Sequence, residues 1–295
     1  MWLETQKEMV IWLQGLSNTF TDLFFNFISF FGEPEFYILL LGFIYWIYNK
    51  KAGEFIGLTL GLSLSLNNVF KGIFNVERPF LTHPEEIQNM RASTATGSSF
   101  PSGHVQGATT IFFAVATYFK QRWLFIVAAV MIILMMISRM YLGVHYLQDV
   151  IAGGIIGIGI TLGMYKAFTM LYENQQRLHQ FYIALAVILF PAILLIDVND
   201  FFRGYGIMVG FILAIIFEKH YINFTLDVSR VKLALRYVVG VGAILITMIA
   251  LGELFSLIDT TQGSLPENML DFVRFFAVAF IGFGVYPYIF NRFNF

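Results

Sequence analysis

Apolar residues run in long blocks along this chain, at about 36–48, 54–70, 104–119, 123–138, 147–168, 181–198, 204–218, 237–252 and 271–290. Polar residues are confined mostly to the joints. Blocks of this length predict helices, and a helix that is apolar all round belongs in a membrane or deep in a core. Several blocks are shorter than the roughly 20 residues that cross about 30 Å of hydrocarbon, so those helices must borrow flanking residues or shelter their ends in a bundle. Residues 1–32 depart from the pattern. Their "WLQGLSNTFTDLFFNFISFFG" mixes Trp, Leu and Phe with polar residues, which suits an amphipathic helix lying in the interface or, failing that, a tenth span. The predicted architecture is therefore all-α: a polytopic transmembrane bundle of about nine spans plus an N-terminal interfacial helix. Its expected divisions are 1–32, a core at 33–170 and a four-helix extension at 171–295.

Composition agrees with a membrane protein. Of 295 residues 58% are hydrophobic and 13% charged, against about 25% charged in soluble domains. There is no cysteine, which excludes disulfides, thiolate catalysis and cysteine-ligated metals. The formal net charge of −1 gives no electrostatic reason to expect a nucleic-acid partner. The opening "MWLETQKEMVIWLQ" places Glu4, Lys7 and Glu8 where a signal peptide would have a basic start and an apolar core, so no cleaved leader is expected.

Alternating helices would put Lys50, Lys51, Lys120, Arg122, Lys166, Arg177, Lys219, Arg230, Lys232, Arg236 and Arg292 on one face. By the positive-inside rule that face is cytoplasmic and the opposite one is outside or lumenal. The outer face receives the longest polar segment, "VERPFLTHPEEIQNMRASTATGSSFPSG". A loop of that length is usually functional or disordered, and the charged and turn residues bounding it favour function. Glu85, Glu86 and Arg91 within it read by default as a solvated loop, with a lid over residues 82–96 that selects headgroups as the finer alternative.

Three polar groups meet on the outer face: Lys71 with Arg78, the turn "PSGH" at 101–104, and "SRMYLGVHYLQD" at 138–149. Ionisable residues between such apolar segments point to function, because stranding them in hydrocarbon is costly. Fixed cations, two histidines, an acid and a glycine turn opening a helix suit a phosphoryl group. Arg78 and Arg139 can fork onto phosphate oxygens, and Lys71 supplies a point charge. The Ser102 and Gly103 amides begin a helix, where unpaired N–H groups favour an anion. His145 and Asp149 are i and i+4, so the carboxylate can hold one imidazole nitrogen and leave the other to attack phosphorus. His104 can then protonate the departing oxygen. This chemistry requires no metal or other cofactor.

These residues carry a resemblance. Lys71 with Arg78-Pro79, then Pro101-Ser102-Gly103-His104, then Ser138-Arg139 with His145 and Asp149 resemble the three signature motifs of the type 2 phosphatidic acid phosphatase family, with all eleven positions matching in order and spacing. The resemblance covers about 70 to 165. It implies a phosphohistidine on His145 assisted by Asp149, with His104 as acid and then as base for water. It also implies phosphate binding by Lys71, Arg78, Ser102, Gly103 and Arg139. The family includes lipid phosphate phosphatases, polyprenyl diphosphate phosphatases, glucose-6-phosphatase and soluble vanadium haloperoxidases, and the last four helices have no role that its common core explains.

The expected function is hydrolysis of a lipid phosphate or diphosphate, such as undecaprenyl diphosphate or a phosphatidic acid-type lipid, at the outer face of a bacterial plasma membrane. The expected partners are that substrate and membrane lipids, with oligomeric state left open. The alternatives are a lipid phosphotransferase, a glucose-6-phosphatase-like sugar phosphatase, and a lipid transporter that grips headgroups through the same cations. Other polar residues read as structural. His83, His179 and His220 belong to loops or the interface; Asp197, Asp200, Glu218 and Glu253 read as solvated charge near helix ends. Gly153, Gly154, Gly157 and Gly159 read as sites of close helix packing.

Overall fold

The computed structural model describes residues 2–91, 95, 97–195, 199–261 and 263–292. The regular elements among them are helices: α1 Trp2–Gln14, α2 Thr19–Phe30, α3 Pro34–Phe43, α4 Lys50–Phe74, α5 Pro79–Thr82, α6 Gly103–Phe119 and α7 Arg122–Tyr141. They continue with α8 Leu147–Leu171, α9 Gln175–Leu189, α10 Ala192–Leu195, α11 Asn199–Phe217, α12 Arg230–Ser256, α13 Leu265–Phe280 and α14 Pro287–Arg292. Widened π-helical turns at Ile44–Tyr48, Glu218–Ile222 and Ile281–Val285 prolong α3, α11 and α13. Among the described residues five helices are long and apolar enough to cross a membrane: α7, α8, α12, the stretch Asn199–Ile222 and the stretch Leu265–Phe290. Taken as one span, α2 and the stretch Pro34–Tyr48, bent by 53°, make a sixth. The chain is a helical integral membrane protein.

Two compact units divide the chain, Met1–Tyr37 with Leu66–Gly163, and Ile38–Ser65 with Met164–Phe295. In the first, α6 ends at Lys120 in the left-handed conformation (φ 55), and α7 begins two residues later. The two helices form a hairpin whose open end carries both His104 and Arg139. Beyond α7 the chain turns at Gly143 (φ 75), where a Cβ would also run into the Gln88 carbonyl, and enters α8. Gly153 lets α8 meet the start of α6, since a Cβ there would lie 2.7 Å from the Ser102 carbonyl oxygen. Gly154 faces Met136, and Gly157 faces Gln106 and Thr109. Gly159 corrects the packing expectation: nothing lies within 4 Å of its would-be Cβ.

Residues 2–30 also correct an expectation, because they form two helices where the sequence suggested one. Asn18 starts the second: its Oδ1 accepts from the amides of Phe20 and Thr21 at 3.0 and 3.1 Å, while Thr21 Oγ1 accepts from the Asn18 amide at 3.0 Å. The two helices grip the rest of the unit. Gln6 and Val10 are buried, Gln6 exchanges hydrogen bonds with Gln148, and Gln14 exchanges them with Gln88. Lys7 bonds Glu86 at 3.0 Å, and Arg91 bonds Asn26 at 2.8 Å and pairs with Glu33. The described part of the 82–96 loop is therefore a tethered segment; residues 92–94 and 96 lie outside the described residues.

In the second unit α11 packs most extensively against α13, at Gly206 and Gly210, where the backbones approach closely. Glu218 is fully buried there. It accepts from Lys50 at 2.7 Å and from the Phe224 amide at 2.9 Å, which overturns its reading as solvated charge. The partners are 168 residues apart in sequence, so neither betrays the other locally. Asp200 pairs with Arg203, Glu253 is exposed, and Asp197 lies outside the described residues.

Candidate active site

All eight residues singled out from the sequence lie in the first compact unit. Lys71 comes from the last turn of α4, and Arg78 from the stretch just before α5. Ser102, Gly103 and His104 open α6, Arg139 ends α7, His145 stands between α7 and α8, and Asp149 lies in the first turn of α8. Lys71, Arg78, Ser102, Arg139, His145 and Asp149 are all buried. Burying this many charges demands mutual pairing or a ligand of opposite sign.

His145 is held from both sides. On one side its Nδ1 lies 3.3 Å from Ser99 Oγ, and Ser99 Oγ donates to Asp149 Oδ2 at 2.5 Å. The direct gap from His145 Nδ1 to Asp149 Oδ2 is 3.6 Å, longer than a good hydrogen bond, so the hydroxyl of Ser99 is the closer link. Asp149 is fixed in turn by the Tyr146 amide, which donates to the same oxygen at 2.9 Å. On the other side His145 Nε2 lies 3.3 Å from Arg78 Nη1. One tautomer satisfies all of these contacts: Nδ1–H donates to Ser99, and the Nε2 lone pair faces the guanidinium. Burial, then the positive charges of Arg78, Arg139 and Lys71, hold the His145 imidazole well below its ordinary value of 6.5. That shift favours the neutral imidazole.

Arg78 is anchored by carbonyls of the surrounding loops, donating to Gly97 and Val144, each at 3.0 Å. Arg139 donates through Nη1 to Ser29 Oγ of α2 at 2.5 Å. Its Nε and Nη2, the Nε2 of His104 and the hydroxyl of Ser102 are buried with no protein partner among the described residues. Such a set suits a tetrahedral oxyanion, which accepts several hydrogen bonds and neutralises the cations. Lys71 Nζ lies 3.9 Å from where a Cβ on Gly103 would stand, and Asn67 Oδ1 lies 3.0 Å from it, so the glycine leaves room that any side chain would fill.

Two details of the sequence reading change. The Ser102 amide is not available to an anion, since it donates to the Asp149 carbonyl at 3.0 Å; the Ser102 hydroxyl and the amides that follow it remain. Ser138, a signature position, donates to the Phe25 carbonyl at 2.8 Å and so secures α2. Four residues were missed. Ser99 links the histidine to its acid, Ser29 orients Arg139, and Glu33 pairs with Arg91 beside Gly32, which abuts His104. Asn67 ties α4 to the α6 turn, donating to Gln106 at 2.8 Å and to the Pro101 carbonyl at 3.3 Å. Their only sequence signal is position, Ser99 within "SSFPSGH" and Asn67 within "LNNVFKG".

Two histidines, an acid and buried cations thus stand together in one unit of a helical membrane protein, a set whose chemistry suits a phosphoryl-type anion. More narrowly, the chain belongs to the type 2 phosphatidic acid phosphatase (PAP2) superfamily. The family model described as PAP2 superfamily matches residues 54–173, and that described as PAP2 superfamily phosphatase, transmembrane extension, matches residues 202–295. Similar proteins include a probable sphingosine-1-phosphate phosphatase of Dictyostelium discoideum, 29% identical over 168 residues, or 52% of this chain and 40% of that protein. A lipid A 4'-phosphatase of Porphyromonas gingivalis is 25% identical over 60% of this chain and 77% of its own length. An undecaprenyl-diphosphatase of Sulfolobus acidocaldarius is 29% identical over 38% of this chain and 53% of its own.

Proposed function

We propose that the protein is a metal-independent phosphatase that hydrolyses a lipid phosphate or diphosphate through a phosphohistidine on His145. The observation that carries this reading is the double anchoring of His145: Nδ1 backed by Ser99 and Asp149, Nε2 facing the buried cations. The proposed steps follow from that geometry. Phosphate oxygens are held by Lys71, Arg78, Arg139, the Ser102 hydroxyl and the Gly103 amide. Nε2 attacks phosphorus in line as the ester oxygen leaves, and His104 protonates that oxygen. The positive charge on the imidazole is balanced through Ser99 by Asp149. His104 then takes a proton from water, which attacks the phosphohistidine and frees His145 and inorganic phosphate.

The similar proteins, phosphatases of sphingosine 1-phosphate, lipid A and undecaprenyl diphosphate, support a lipid as the alcohol part. Undecaprenyl diphosphate or a phosphatidic acid-type lipid is the best substrate class, presented at the outer face of a bacterial plasma membrane. In this reading α3, α4 and α6 to α9 join α11, α12 and α13 as nine passes, and the basic joints stay inside. The test is phosphate release by purified protein in detergent with chelator present, on undecaprenyl diphosphate, phosphatidic acid and glucose 6-phosphate. Release from the lipids well above that from the sugar is expected; a chelator-sensitive or sugar-selective activity would sink the reading.

Two further outcomes are expected. Ser99→Ala should lower kcat by about 10- to 100-fold with KM little changed, the worth of one hydrogen bond to a charged group. Ser99→Thr keeps the hydroxyl and should recover much of the loss; equal loss in both variants would mean the hydroxyl is not the link. The second outcome concerns pH. Because His145 binds its proton more weakly than an ordinary histidine, the acidic limb of kcat/KM should fall below 6.5. Monophosphate and diphosphate substrates run in parallel identify that limb as the one that does not move with the substrate. A limb at or above 6.5 would contradict a neutral, buried nucleophile.

A further inference from the structure

The second compact unit holds a polar cavity of about 430 Å³ that shares no residue with the histidine site. Its walls include Lys50, Lys51 and Glu54 from the start of α4, Tyr172 after α8, Gln175 at the start of α9, and Lys219 in the turn after α11. The charges are sorted into pairs with one left over. Lys50 pairs with Glu218 at 2.7 Å and Lys219 with Glu54 at 2.6 Å. Glu54 also accepts from the Tyr182 hydroxyl at 3.1 Å, and Lys219 donates to Gln175 at 2.7 Å. Lys51 has no acidic partner among the described residues; its Nζ lies over the Tyr172 ring, 3.4 Å from the centroid. The cavity therefore carries one surplus positive charge, matching an anion of charge −1.

A second feature lies between two of the same helices. An apolar groove of about 260 Å³ runs between α9 and α11, lined by Ile183, Val187 and Phe190 on one side and Tyr205, Val209 and Leu213 on the other. Tyr205 closes its far end, donating to the Ala186 carbonyl at 2.8 Å. Counting along the helices, Ile183 is about 12 Å from Gln175 and Leu213 about 9 Å from Lys219. The groove thus begins about 9 to 12 Å along the helices from the cavity residues and continues away from them for about 10 Å. Polar cavity and groove together reach about 20 Å, which compares with the roughly 15 Å of one leaflet's hydrocarbon.

We propose that this cavity and groove hold an anionic glycerophospholipid of the surrounding membrane, with its phosphodiester at Lys51 and the two paired lysines and one acyl chain along α9 and α11. Charge complementarity, with an apolar groove lying farther along the same two helices, sets this occupant apart from a neutral lipid or a soluble anion. Basic pockets between membrane helices recognise acidic headgroups in this way. The site gives the C-terminal extension a role that the phosphatase core does not require, and it stands whether or not that core hydrolyses lipids.

The test is native mass spectrometry of delipidated full-length protein titrated with phosphatidylglycerol and with phosphatidylcholine of the same chains. Wild type should bind one phosphatidylglycerol in preference to phosphatidylcholine. Lys51→Gln should weaken phosphatidylglycerol alone by about fivefold, the contribution of one basic side chain at an acidic headgroup, and leave phosphate release unchanged. Val187→Trp, at an exposed position of α9, should fill the groove and weaken both lipids. Equal binding of the two lipids by wild type, or a preference that survives Lys51→Gln, would overturn the proposal. Glycerol 1-phosphate binding as tightly as phosphatidylglycerol, and losing affinity in Lys51→Gln, would overturn the part assigned to the groove.

Discussion

His145→Ala is expected to lower phosphate release by about 10⁴-fold or more, with the protein still folded and still binding phosphate. The magnitude follows from removing the atom that makes the new bond, since no other group in the cradle can replace it. The five cations and donors proposed to hold the phosphate remain in place, so a residual rate from electrostatic stabilisation alone should persist. Truncating a buried imidazole leaves a cavity and unpaired partners, so folding of the variant is measured beside its activity. Phosphate release assayed beside phosphate binding checks both halves. A loss below tenfold would mean that water, not His145, attacks phosphorus.

His104→Ala should give the second largest effect, about 10²- to 10⁴-fold on alkyl and polyprenyl substrates. Its distinguishing feature is dependence on the leaving group. A long-chain alcohol leaves poorly without a proton, whereas a nitrophenolate leaves unaided. The first step should therefore recover on p-nitrophenyl phosphate, while the second step, which needs His104 as base, stays slow. A burst of nitrophenol followed by slow turnover is the expected trace. Equal losses on both substrates, without a burst, would leave His104 as a binding residue only.

The residues of the candidate site were legible because they are charged letters set in apolar surroundings. Lys71, Arg78, Arg139, His145 and Asp149 stand out in any hydropathy reading, and the structure gathers them into one unit. What could not be read is carried by ordinary residues. Ser99 is one serine among several in "STATGSSF", and only its 2.5 Å contact with Asp149 marks it. Ser29 belongs to a stretch whose phenylalanines suggested a helix lying on the membrane, and Glu33 follows directly after it, yet these polar side chains turn inward to Arg139 and Arg91. The Ser102 amide was misread because helix-start amides are normally open, and nothing local announces that Asp149 offers a carbonyl to it. The break between α1 and α2 was the more readable miss: Gly15 and the Asn18–Thr21 pair are a stop and a start signal in sequence. Lys50 with Glu218 and Lys219 with Glu54 belong to the opposite case, since pairings that distant exist only once the helices have packed.

The most direct test of the central claim is to quench the enzyme during turnover of a ³²P-labelled substrate and look for phosphate bound covalently to the protein. Label stable to base and labile to acid is expected on wild type. It should increase in His104→Ala with a nitrophenyl phosphate and disappear in His145→Ala. Full turnover in wild type with no protein-bound phosphate, or label that persists in His145→Ala, would contradict a phosphohistidine at this position.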